Sequence, residues 1–102
     1  MTEKRRPTYD LEAFKRASSS VDRLSATGTA VRSAFALGFD RQGIVDTIQG
    51  MRREHFYKSM TAYGDHRSWQ DVYHVPSRAG LLYVKFTADR VAEFRLLSFK
   101  EK

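Results

Sequence analysis

Five residues spread over the second half of the chain, Lys58, Gln70, Tyr83, Lys85 and Lys100, carry side chains that could act together on a phosphodiester. Ammonium groups hold phosphate charge, a phenol can give up a proton, and a carboxamide can orient an oxygen. The first two lie in the most unusual stretch of the sequence, Phe56 to Tyr73. It contains the single Trp, Trp69, together with Tyr57, Tyr63 and Tyr73. Rings interleaved with cations suit a single-stranded nucleic acid, because rings stack on bases while cations hold phosphates. The same mixture also describes an aromatic hairpin whose rings fill a core, and residue types alone do not separate the two readings.

Positioning those side chains requires strands. From Phe56 onward the pattern predicts four of them, at about 56–63, 69–74, 80–87 and 92–100. Gly64–Asp65–His66, Pro76, Gly80 and the Asp89–Arg90 segment punctuate them. Alternation then assigns faces. Leu82, Val84 and Phe86 share one side of the third strand, and Tyr83 and Lys85 share the other. On the first strand Lys58 falls in step with Phe56 and Met60, opposite to Tyr57, Ser59 and Thr61. On the last, Lys100 is in step with Ser98, Leu96 and Phe94, which puts a charged end after two large apolar residues. A bulge, or a strand that outruns the core, resolves that conflict. The expected result is a concave open face collecting the five residues, with like charge and desolvation depressing each lysine's pKa. Solvated surface lysines would leave the same pattern.

Upstream the period is helical. Asp10 caps a first helix to about Ser19, burying Leu11 and Phe14. Val21 to Ala26 reads as a short edge strand. Thr29 caps a second helix with the stripe Val31, Ala34, Phe35 and Leu37, and Gly38 ends it in a left-handed turn. Asp40 caps a third, carrying Ile44, Val45 and Ile48, closed by Gly50. Arg41 and Gln42 are the only long donors that this third helix offers at its start, so the pair suits core packing better than reading a DNA groove. Helices followed by a strand meander give an α+β fold, with N-terminal helices packed on one face of an antiparallel sheet and the other face left free.

The 102 residues suffice for one domain, 1–102, with residues 1–8 a flexible basic lead-in. Eighteen Lys and Arg against twelve Asp and Glu give a net charge of +6, which favours a polyanionic partner. There is no Cys for a disulfide or thiolate site, and the three His lack metal-ligand spacing. No metal and no cofactor are therefore expected. No secretory signal or membrane-length apolar run is read, so the expected location is the cytoplasm.

Phe56–Tyr57–Lys58–Ser59–Met60–Thr61, followed by Tyr63, Asp65–His66 and Trp69–Gln70–Asp71–Val72–Tyr73, resembles the core signature of the motility quorum-sensing regulator (MqsR) toxins. Tyr83–Val84–Lys85, the ending Ser98–Phe99–Lys100–Glu101–Lys102, and Arg32–Ser33–Ala34 with Leu37–Gly38 extend the resemblance over nearly the whole chain. The segment His74 to Ala79 and the charged stretch Asp89 to Arg95 depart from it. The resemblance implies a RelE-like fold and a toxin of a type II toxin–antitoxin pair, an mRNA interferase cutting single-stranded RNA at GCU-like sites without a metal. It also implies a cognate, MqsA-like antitoxin as partner. By motif it places the catalytic residues at Lys58, Gln70, Tyr83 and Lys100, which coincide with the side chains collected by alternation.

RNA supplies its own nucleophile, so attack of a 2′-hydroxyl on the adjacent phosphate needs a base, an acid and cations. Lys58 and Lys100 are expected to divide phosphate stabilisation and proton transfer. Tyr83 is expected as the hydroxyl donor and Gln70 as the orienting group, with Tyr57, Trp69, Lys85 and Arg78 binding substrate. His66 is a rival base, although its place beside Asp65 in a turn favours a structural role. A non-catalytic RNA- or DNA-binding module, or a domain that binds a protein partner through an edge strand, would share the charge and the aromatic strands.

Overall fold

The computed structural model describes residues 2–89 and 93–102. Its elements run β1 (Glu3–Lys4), α1 (Leu11–Ala17), α2 (Gly28–Ala36), α3 (Arg41–Gln49), a 3-10 turn (Arg53–His55), β2 (Phe56–Ala62), β3 (Asp65–Ser77), β4 (Gly80–Ala88) and β5 (Phe94–Glu101). The strands form one antiparallel sheet in the order β1-β2-β3-β4-β5, and the fold is α+β as expected.

Local chemistry sets the helix starts. The side chains of Asp10, Thr27 and Asp40 accept from the backbone N–H of Glu12, Ala30 and Gly43, satisfying amides that the first turn leaves open. The second helix is thus capped by Thr27, two residues before the Thr29 cap expected. Gly38 follows α2 at φ 88°, the left-handed value that favours Gly. The 21–26 segment is not an edge strand. It turns, and only Ala26 makes an isolated parallel bridge, to Leu96. Residues 2–8 of the lead-in lie along the sheet. Glu3 and Lys4 pair with Met60 and Ser59, and the buried Asp71 carboxylate accepts from the backbone N–H of Thr8 and Tyr9 at 2.9–3.1 Å.

The core lies between the helices and one sheet face. Phe14 of α1 stacks on Phe86 at 3.8 Å, Phe39 meets Phe99 edge-on at 5.1 Å, and Ile44, Val45 and Ile48 of α3 complete the layer. Tyr73, Val75, Leu82, Val84, Phe86, Leu96 and Phe99 face it from the sheet, all 2 % exposed or less.

β3 is longer than expected. It runs through Pro76 to Ser77, because β2 ends its pairing at Tyr73 and leaves the proline without a β2 neighbour to bond. The expected last turn at Asp89–Arg90 falls partly outside the described residues.

Two irregularities decide what the other face carries. Between β4 and β5 the register steps from Lys85↔Ser98 to Phe86↔Leu96, leaving Leu97 as an extra residue. That bulge puts Leu96 and Phe99 into the core while Ser98 and Lys100 turn outward, resolving the parity conflict read in the sequence. Between β2 and β3 the step from Phe56↔Tyr73 to Lys58↔Val72 makes Tyr57 the extra residue. Tyr57 therefore joins Lys58 on the open face, contrary to strict alternation, and Phe56 packs against the core, edge-on to Tyr73.

Candidate active site

The open face is built in two rows across the strands. One row runs Lys58, Val72, Lys85, Ser98, each in register with the next. The second runs His74, Tyr83, Lys100, with the bulged Tyr57 at its β2 end. Neighbouring strands lie about 4.8 Å apart, and residues two apart along a strand are roughly 7 Å apart, so both rows fit beneath a short stretch of one nucleotide chain. Gln70, in register with Met60, lies two residues along β3 from Val72 on the same face. Val72 is fully buried yet stands outside the helix-side core. It lies between the in-register Lys58 and Lys85, whose apolar stems can cover it while their ammonium ends stay wet.

The groups of this face have different electrostatic surroundings. Lys58 Nζ bonds Glu3 Oε2 at 2.5 Å, and this partner raises the lysine above its ordinary 10.5. Lys58 is therefore a fixed cation. Lys85 goes the other way, lowered by burial and by Lys100. The expectation that every clustered lysine is depressed holds for Lys85 and fails for Lys58, because Glu3 reaches it across 55 residues, a contact that no local pattern signals. The Tyr83 phenol is raised by burial, with Lys58 opposing, so at neutral pH it keeps its proton. Lys100 Nζ lies 5.2 Å from the centre of the Tyr83 ring.

His74 is the member that sequence reading missed. Its ring stacks on Tyr57 at 4.2 Å and 22°, and lies 6.2 Å from the Tyr83 ring. Burial lowers it from 6.5, and the charges of Lys102 and Lys58 lower it further. The signal was available in parity: His74 follows Gln70 by four residues on one strand. The strand had been expected to stop there.

The structure thus brings together Lys58, Tyr83, Lys85, Lys100 and Tyr57, with Gln70 at their edge. It does not bring Trp69 or Arg78 to this face. Trp69 pairs with Thr61 in the opposite parity, and Lys4 Nζ sits 4.1 Å from its ring centre. Arg78 lies over the Phe39 ring at 4.1 Å and donates to the Gly38 carbonyl, tying the β3–β4 turn to the end of α2. His66 is exposed near the hairpin tip, eight residues along β3 from His74, or roughly 27 Å. A cavity of about 580 Å³ opens elsewhere, among Ala17, Arg23, Ser25, Thr87 and Phe94. An extended strand laid over a sheet needs no enclosed cavity, so the open face remains the better site for RNA. Among the described residues no group of three or more His, Cys, Asp or Glu converges as metal ligands, and no helix is long and apolar enough to cross a membrane.

Helices on one side of an antiparallel sheet and a cationic, phenol-bearing surface on the other define a small α+β protein built to meet a polyanionic chain. Residues 6–101 match the family described as "Motility quorum-sensing regulator, toxin of MqsA". A relative from Escherichia coli (strain K12), named mRNA interferase toxin MqsR, is 38% identical over 100 residues, covering 98% of this chain and 99% of that protein. The chain belongs to the family of motility quorum-sensing regulator toxins.

Proposed function

We propose that this protein is the toxin of a type II toxin–antitoxin pair and an endoribonuclease that cuts single-stranded mRNA by 2′-hydroxyl attack. Family membership supports the class of activity. The observation that carries the mechanism is the two in-register rows of the open face, which gather Lys58, Lys85, Tyr83 and Lys100 over one short span. Lys58, held as a cation by Glu3, and Lys100 stabilise the charge that grows on the phosphate oxygens. Lys85 adds to the field from the first row. Tyr83, protonated at neutral pH, gives its proton to the departing 5′-oxygen. Gln70 orients the phosphate or the adjacent base, and Tyr57, 40 % exposed, offers the edge of its ring to a base. With the nucleophile supplied by RNA and the charge met by lysines, the chemistry runs without a metal. The fold is RelE-like, the partner is an MqsA-like antitoxin, GCU-like sequences are the targets, and the toxin acts in the cytoplasm.

The test is to incubate the purified chain with a long mRNA, with and without excess EDTA, and to map new 5′ ends. Cuts at recurring short sequences in both conditions are the expected outcome. Binding without new ends would mark a non-catalytic RNA module, and cuts abolished by EDTA would end the metal-free mechanism.

A further inference from the structure

The open face holds one titratable group that the mechanism above leaves idle. His74 lies in the same row as Tyr83 and Lys100, its ring packed on Tyr57 and in register with Tyr83. We propose that His74 is the general base of the cleavage, its imidazole taking the 2′-hydroxyl proton while Tyr83, one strand away, protonates the 5′-oxygen. The proposal rests on the endoribonuclease reading and assigns within it the one role that the lysines fill poorly.

Geometry and charge argue together. A base must hold a free lone pair at working pH and must lie beside the phosphate-binding groups. Lys58 is raised above its ordinary 10.5, and Lys85 is lowered from that same high starting value by burial and by Lys100. The imidazole starts from 6.5 and is lowered, so it is neutral where they are charged. The groups facing it all favour that state or leave it unchanged. Tyr57 and Lys58 come from β2, Tyr83 from β4, and Lys100 and Lys102 from the C-terminal strand and its end. Arg5 reaches the Tyr57 ring from the lead-in, with its guanidinium carbon 5.7 Å from the ring centre. Glu3, the acidic group of this face, is engaged with Lys58. Stacking on Tyr57 fixes the ring plane, which a base needs if it is to meet one oxygen repeatedly.

The step balances. One imidazole nitrogen takes the 2′-hydroxyl proton as the 2′-oxygen forms its bond to phosphorus. The bond from phosphorus to the 5′-oxygen breaks, and that oxygen takes the Tyr83 proton. The products are a 2′,3′-cyclic phosphate end and a 5′-hydroxyl end. The imidazolium then loses a proton to solvent and the phenolate regains one.

The experiment measures kcat/KM for an RNA oligonucleotide carrying a mapped cut site, between about pH 5 and 8. The parent is compared with His74→Ala and His74→Phe, the latter keeping a ring on Tyr57 without the nitrogens. The parent's kcat/KM should fall with unit slope on the acid side, about a midpoint below 6.5, because protonation removes the base. Both variants should lose roughly 10²–10⁴-fold in kcat with KM nearly unchanged, and should lose the acid limb. Added imidazole should restore part of the His74→Ala rate and none of the His74→Phe rate. Variants within about twofold of the parent, or an acid limb that persists in them, overturn the assignment of His74 alone. A parent that leaves RNA uncut overturns the endoribonuclease reading and this role with it.

Discussion

The two faces of this sheet share their central strands β3, β4 and β5 and differ in almost everything else. Toward the helices stand Tyr73, Val75, Leu82, Val84, Phe86, Leu96 and Phe99, closed off from water and packed ring on ring. Away from them stand Tyr57, Lys58, His74, Tyr83, Lys85 and Lys100, half-buried or exposed. One face contributes stability through apolar area removed from water. The other collects three lysines among rings on neighbouring strands, an arrangement that like-charge repulsion opposes unless an anion joins it. Dividing the labour by face lets the reactive surface change without unfolding the domain, and the following outcomes would break or sharpen that division.

The largest separation is expected on the open face. Lys58→Ala should lower the RNA cleavage rate about 10²–10³-fold, the usual loss for a group that meets developing charge. Its thermal midpoint should move by no more than a few degrees, since an exposed ion pair contributes little to stability. Cleavage near the parent rate would remove Lys58 from the mechanism.

Phe86→Ala is the mirror case. Phe86 is fully buried and stacks on Phe14. Its truncation should destabilise the protein by about 3–5 kcal/mol. Denaturant unfolding reads this directly, and a loss below about 1 kcal/mol would show that the helix side is not the main source of stability.

Asp71→Ala should destabilise by about 2–4 kcal/mol, because the backbone N–H groups of Thr8 and Tyr9 lose their acceptor. Hydrogen exchange should then accelerate across residues 2–9, and unchanged exchange there would show that the lead-in is held by something else.

The smallest effect is expected at Glu3→Gln. The substitution frees Lys58 from its carboxylate and should raise cleavage about twofold to fivefold at low salt, with the gain shrinking as salt screens the pair. The pH window follows from the two shifts. The Lys58 bond holds the Glu3 carboxyl below its ordinary 4.5, and Glu3 holds Lys58 above 10.5. The pair is intact between those limits. It is lost as pH falls through the lowered carboxyl value or rises through the raised ammonium value. A variant slower than the parent would mean that Glu3 positions Lys58 instead of competing for it.

Much of this architecture was legible residue by residue. Asp10 and Asp40 announced helix starts, Gly38 announced a left-handed stop, and Leu82, Val84 and Phe86 announced a buried strand face with Tyr83 and Lys85 opposite. The misreadings sit where ladder geometry overrides local pattern. Tyr57 was assigned by strict alternation to the face opposite Lys58, and a single bulge reverses that. The 21–26 segment has alternating residues but joins β5 by a single isolated bridge, Ala26 to Leu96, instead of a ladder. Trp69, the most conspicuous ring, belongs to the wrong parity. His74 was the last residue of the expected 69–74 strand, which in fact runs on to Ser77.

The sequence by itself determined the α+β class, the Asp10 and Asp40 helix caps, the apolar stripe that fills the core, the +6 charge and the family signature, because each depends on composition or on neighbours within a few positions. Only the tertiary structure decided that Tyr57 turns beside Lys58, that His74 stands opposite Tyr83, and that Glu3 reaches Lys58. These depend on which residues face one another across strands, and that register is fixed by bulges and by the packing of the whole core together.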